Sequence, residues 1–192
     1  MGYGDALRLA EKKIDGLSPD AVVNACGARY ENNSYFISWF NSMRNVSEAS
    51  DSNKILWLHY LAAGGAKTMS GRLIAYREAA PALFYDPNFY KRAVAPFVEH
   101  FGKDPQSLIV LGESLGGVKN DVGDASVTIN VLPYLPLTFV IWKGDDEFPP
   151  DGNILFDKTA TSWFSPEDLA VLASSAVYEM IKINKNKYKT EE

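Results

Sequence analysis

Asp145, Asp146 and Glu147 stand side by side in the run Gly144-Asp145-Asp146-Glu147-Phe148-Pro149-Pro150-Asp151-Gly152-Asn153. Adjacent carboxylates repel one another, so a folded chain must give them solvent, a cation or cationic side chains. Hard oxygen donors of this kind point to a divalent metal ion, and the plain alternative is a solvated turn whose acids cap nearby backbone. The calcium-loop spacing of an EF-hand fails, because Pro149 falls where a ligand is required once Asp151-Gly152 is set on that motif's turn. A second acidic stretch, Gly117 to Ser126, carries Asp121 and Asp124 among Gly117 and Gly123. Glycines there let backbone approach a ligand closely, and the two acidic loops together would make an oxygen-rich cleft if the fold brings them side by side.

His59-Tyr60 lies in the apolar run Ile55 to Ala63. An imidazole on such a segment can serve as an axial ligand to a tetrapyrrole metal or as a general base, and otherwise is a hydrogen-bonded core histidine. His100, near the end of another helical segment, is accounted for by the helix dipole. The tryptophans, with Trp142 at the end of an apolar strand, are core residues or the walls of a flat cofactor pocket. Gly112-Glu113-Ser114-Leu115-Gly116 matches the nucleophile elbow of serine hydrolases. Both histidines precede Ser114, glycines rather than a helix follow it, and the same residues fit the last turn of a helix capped at Asp104.

The elements that must position these residues read as follows. Asp5 to Ile14 has helical spacing with Gly16 as a stop, and Ser18-Pro19-Asp20 opens a short helix ended by Gly27. Arg29 to Glu31 and Ser34 to Phe40 flank Asn32-Asn33 as a hairpin. Asn41 to Asn53 is a loop or ragged strand, and Ile55 to Ala63 is a buried helix ended by Gly64-Gly65. Arg72 to Ala79 reads as a strand, Asp86-Pro87 starts a helix to Gly102 with a kink expected near Pro96, and Asp104-Pro105 starts another. Val127 to Val131 and Leu137 to Trp142 read as strands, the second central in its sheet. Ser165-Pro166-Glu167-Asp168 opens a long amphipathic helix expected to pack across the sheet. Helices and strands do not alternate, so the class is α+β: a single domain over 1–183, a mainly antiparallel or mixed sheet flanked by helices, and a charged, disordered tail over 184–192.

Composition narrows the functions. The chain has 192 residues, 46% of them apolar and 22% charged, as ordinary globular domains do. A net charge of −5 argues against a nucleic-acid face. No stretch approaches the length of a membrane span, the first residues lack the apolar run of a signal peptide, and a cytoplasmic location is expected. A lone cysteine, Cys26, excludes an internal disulfide and any cysteine-cluster metal site within the chain.

Gly123-Asp124-Ala125-Ser126, Gly144-Asp145-Asp146-Glu147-Phe148-Pro149, Leu155-Phe156-Asp157 and the helical segment with His59-Tyr60-Leu61 resemble the uncharacterised bacterial and archaeal family catalogued as domain of unknown function 3786. The resemblance implies an anaerobic setting and a corrinoid, another tetrapyrrole or a metal as ligand; some such proteins carry a cysteine-rich iron–sulfur segment, which this chain lacks. The expectation is a binding protein for a metal-containing cofactor, with His59, Tyr60, Asp121, Asp124 and Trp142 at the cofactor and Asp145, Asp146 and Glu147 at a metal. The alternatives are a serine hydrolase using Ser114 and an interaction module whose acidic turn meets a basic protein partner.

Overall fold

The computed structural model describes residues 3–64, 68–79 and 85–189. Helix α1 (Tyr3–Ile14) is followed by α2 (Pro19–Cys26), which takes Pro19 at its first turn and ends on Gly27 at φ 63°, as expected. Asn32 and Asn33, at φ 50° and 62°, then reverse the chain between β1 (Arg29–Glu31) and β2 (Ser34–Trp39). Two positive φ values in succession make the hairpin turn whose twist matches that of the strands it joins.

Phe40 and Asn41 repeat this device and add β3 (Ser42–Asn45), completing a three-stranded antiparallel sheet. The polar stretch 41–53 therefore holds a strand, a 3-10 turn over Val46–Glu48 and the start of α3 (Asp51–Ala63). Helix α3 buries Leu56, Trp57, Leu58, Tyr60 and Leu61, and so is covered on most sides. Gly64 stops it in the left-handed region at φ 76°; Gly65, read with it as the stop, lies outside the described residues.

The strand expected over Arg72 to Ala79 is only β4 (Leu73–Ala75). Glu78 accepts the Ala75 N–H at 2.7 Å and curls Tyr76–Glu78 into a 3-10 turn, which swings Tyr76 inward to stack 4.1 Å from Phe89. Helices α4 (Asp86–Phe89) and α5 (Ala95–Phe101) are one continuous rod joined by a π turn over Tyr90–Val94. Instead of a kink at Pro96, the chain widens just before it, where the Ala95 N–H bonds back to Tyr90. Proline has no N–H and its ring crowds the carbonyl four residues earlier; a wide turn absorbs that misfit.

Helix α6 (Pro105–Ser114) leads into the larger sheet, which has β5 (Val118–Asn120), β6 (Ala125–Leu132), β7 (Leu135–Trp142) and β8 (Asp151–Asp157). Its order is β4-β8-β7-β6-β5, antiparallel throughout, with β7 at the centre as its almost wholly apolar sequence implies. Strand β8 opens on Asp151-Gly152-Asn153, residues typical of a turn, yet these pair with Trp142, Ile141 and Val140.

Helix α7 (Pro166–Lys189) runs beside α3, the π turn and α5. It is helical through the start of the expected tail: Asn184 is buried, with its amide nitrogen 3.1 Å from His100 Nε2, while Glu191 and Glu192 lie outside the described residues. The fold is α+β, with two antiparallel sheets and a C-terminal helix.

Candidate functional site

The two acidic loops do meet. Strands β5 and β7 end, and β6 and β8 begin, at one end of the larger sheet, so residues 121–124 and 143–150 are neighbours there. The Asp124 N–H donates to Ile141 O at 2.9 Å, and Asp124 Oδ2 accepts the Lys143 N–H at 2.7 Å. Two of their carboxylates, those of Asp124 and Asp145, are spent on the backbone. Asp145 Oδ1 accepts the Glu147 and Phe148 amides at 2.9 and 2.8 Å, and those bonds hold its carboxyl below the usual range. A β-carbon on Gly144 would stand 2.6 Å from Pro150 N, so the turn closes only because residue 144 has none. Asp121, Asp146 and Glu147 are exposed. Among the described residues no group of three or more His, Cys, Asp or Glu side chains could hold a metal ion.

Tyr60 is anchored at the opposite end of that sheet. Its hydroxyl donates to the carbonyl of Pro133, in the β6–β7 turn, and lies 3.4 Å from Cys26 O. Burial, with the Cys26 thiol beside it, drives the phenol's pKa upward, and burial raises that of Cys26 to about 11. Both are core groups. Strand β7 has eight residues, so at ~3.3 Å per residue about 26 Å of strand separates Tyr60's anchor from the acidic loops. Trp142 lines a third place, a cleft of about 290 Å³ that it shares with Asp86, Tyr90 and Asp151. With His59 in a cleft of its own, the residues expected at one cofactor therefore lie in four regions.

Ser114 ends α6, and its hydroxyl donates to Leu111 O at 2.7 Å, inside its own helix. An elbow needs a strand before the serine and a helix after it. Here the order is helix, serine, turn, and Gly112 serves packing: a β-carbon there would stand 2.4 Å from Val127 Cγ2.

His59 is different. It is only partly buried, and its Nδ1 lies 2.9 Å from Asp168 Oδ1, with side-chain exposures of 19% and 15%. Asp168 is the third residue of α7. Its Oδ2 accepts Ser165 N–H and O–H at 3.1 and 2.8 Å, while its own N–H donates to Ser165 Oγ at 3.1 Å, a reciprocal helix cap. Burial pushes the Asp168 carboxyl up, but the His59 and Ser165 bonds outweigh it and leave the pKa below the ordinary value. An ionised carboxylate only accepts, so His59 Nδ1 carries the hydrogen, and in the neutral ring Nε2 offers a lone pair. No residue accepts from or donates to Nε2 among the described residues. The ring lines a cleft of about 270 Å³ with Ile55, Arg92, Glu167 and Val171.

Ser165 is not a nucleophile activated by this histidine. A hydrolytic triad runs serine, histidine, acid, whereas here the acid stands between serine and histidine.

A family model described as a domain of unknown function, DUF3786, matches residues 18–179. The chain belongs to that family. No curated protein and no solved structure matches it. The match takes in α3 and the N-terminal half of α7, so both partners of the His59–Asp168 pair fall within the DUF3786 domain. Sequence reading singled out His59 and the Ser165–Asp168 cap separately. Nothing in the sequence joins two residues 109 positions apart, and only the packing of α3 on α7 does so.

Proposed function

We propose that this DUF3786 protein binds a metal-containing cofactor and that His59 Nε2 is the protein's ligand to its metal. The observation that carries this is the His59 Nδ1–Asp168 contact of 2.9 Å on the wall of a cleft. Metal-binding histidines are typically oriented by a carboxylate on the other ring nitrogen, which fixes the tautomer and raises ligand basicity. One imidazole suits a metal that arrives with its own equatorial ligands, as in a corrinoid or another tetrapyrrole; it is too few donors for a bare divalent ion. Such a cofactor supplies redox or group-transfer chemistry at its metal; the protein supplies the ligand, its orientation by Asp168, and Arg92 and Glu167 at the cleft's rim.

The test is an anaerobic absorption titration with aquocobalamin and with haem. Wild type should shift the metal-sensitive bands saturably, His59→Ala should not, and Asp168→Asn should weaken binding about 10- to 100-fold, as loss of an outer-sphere carboxylate does. Equal binding by wild type and His59→Ala removes the assignment.

The acidic end of the sheet supports a second reading, a surface for a basic protein partner. Phe148 is 67% exposed, in the same turn as the exposed Asp146 and Glu147. Binding there would fall steeply between low and physiological salt.

A further inference from the structure

Next to the His59 cleft, and sharing Ser52 and Arg92 with it, lies a groove of about 620 Å³ between α3, the π turn and α7. Lys91 and Arg92 reach it from the π turn and Lys182 from α7. The carboxylate in its lining, Glu179, is already paired with Arg44 at 3.1 Å. None of the three cations makes an ion pair among the described residues. In a chain of net charge −5, three unneutralised cations around one concavity are the opposite of the average surface.

The opposite wall supplies neutral donors. It is the first turn of α3, with Ser50, Ser52 and Asn53. Ser50 makes no side-chain cap to that turn, so its first amides lack the usual partner; the one acid of the turn, Asp51, does not line the groove. Asn53 Oδ1 is taken by the Ser175 hydroxyl at 2.8 Å, which leaves its amide N–H groups as donors. A guanidinium, two ammoniums, hydroxyls and amide donors around a cavity of this size match the oxygens of phosphate groups.

We propose that this groove binds a small phosphorylated molecule, with Lys91, Arg92 and Lys182 on its phosphate oxygens. The groove overlaps the His59 cleft at Ser52 and Arg92, but Lys91 and Lys182 line the groove and not the cleft, so the proposal does not depend on the cofactor reading.

The experiment is calorimetric titration of the full chain with inorganic pyrophosphate, in parallel with citrate as a carboxylate of comparable charge. Three variants separate the outcomes: Lys91→Ala with Lys182→Ala, the control Lys12→Ala with Lys13→Ala on α1, which changes net charge equally, and His59→Ala. All four lysines are exposed, so the fold should tolerate the changes. Wild type, the α1 control and His59→Ala should bind pyrophosphate alike, and the groove variant about tenfold or more weakly, the loss expected for two charge-assisted contacts. No binding by wild type at about 1 mM pyrophosphate, equal binding by the groove variant, or equal affinity for citrate would each overturn the proposal.

Discussion

Asp168 joins two elements with one carboxylate: Oδ2 caps α7 through Ser165, and Oδ1 holds the ring of His59 on α3. Asp168→Ala removes both, and loss of a partly buried, charge-assisted hydrogen bond of this sort costs about 1–3 kcal/mol, read by urea denaturation. Asp157 is still more committed. It is buried and accepts Ser70 N–H and O–H, Gly71 N–H and Thr159 N–H at 3.1, 2.7, 2.7 and 2.8 Å. Burial acts to raise its pKa, but those bonds prevail and bring it to about 2 from 3.8. A carboxyl whose folded pKa is depressed stabilises above its unfolded value, so this contribution is whole above pH 4 and is lost as pH falls from there through about 2. Asp157→Asn should flatten the stability profile across that window and leave its alkaline side unchanged in shape. His100 titrates higher on the same sign. Burial, then Lys185, lower its pKa from 6.5, so its neutral form supports the fold and the support fades as pH drops below that value. His100→Gln should remove that part of the slope; an unchanged slope in the variant would mean that another group carries it. The helix-dipole role expected for this ring from sequence is replaced by the Asn184 contact.

At the scale of elements, legibility followed local chemistry. Gly27 and Gly64 as stops, Asn32-Asn33 as a turn and Ser165 to Asp168 as a cap were readable because each signal lies within a few residues of its effect. Strand β3 reads only as a loop or ragged strand and β5 does not read at all, because short polar strands exist only through a neighbour that supplies the hydrogen bonds, while the opening Asp-Gly-Asn of β8 imitates a turn. The Gly112 to Gly116 motif illustrates the same divide. Its letters fit an elbow, but Gly112 is small because α6 lies against Val127 of β6. Alanine there favours a helix by about 1 kcal/mol over glycine, yet Gly112→Ala should cost about 1–3 kcal/mol overall, since overpacking outweighs propensity. A stabilised Gly112→Ala protein, by thermal denaturation, would contradict this packing.

For the whole molecule, the sheet's length decides which candidate residues can cooperate. The acidic loops, whose meeting the sequence leaves open, lie side by side because β5 to β8 are antiparallel neighbours. Their union with His59 and Tyr60 into one pocket does not occur. Tyr60 holds the far end of the sheet, and His59 turns instead to α7. No sequence signal chooses between these, because both depend on how α3 packs against α1 and α7. What the fold offers is a half-buried imidazole, fixed by an ionised acid, with one nitrogen unpartnered among the described residues. The most direct measurement is the electron paramagnetic resonance spectrum of cob(II)alamin bound to protein carrying ¹⁵N-labelled histidine. Ligation by His59 predicts a doublet superhyperfine splitting from the labelled nitrogen, absent in His59→Ala. A triplet in both proteins, from the cofactor's own base, would contradict the account.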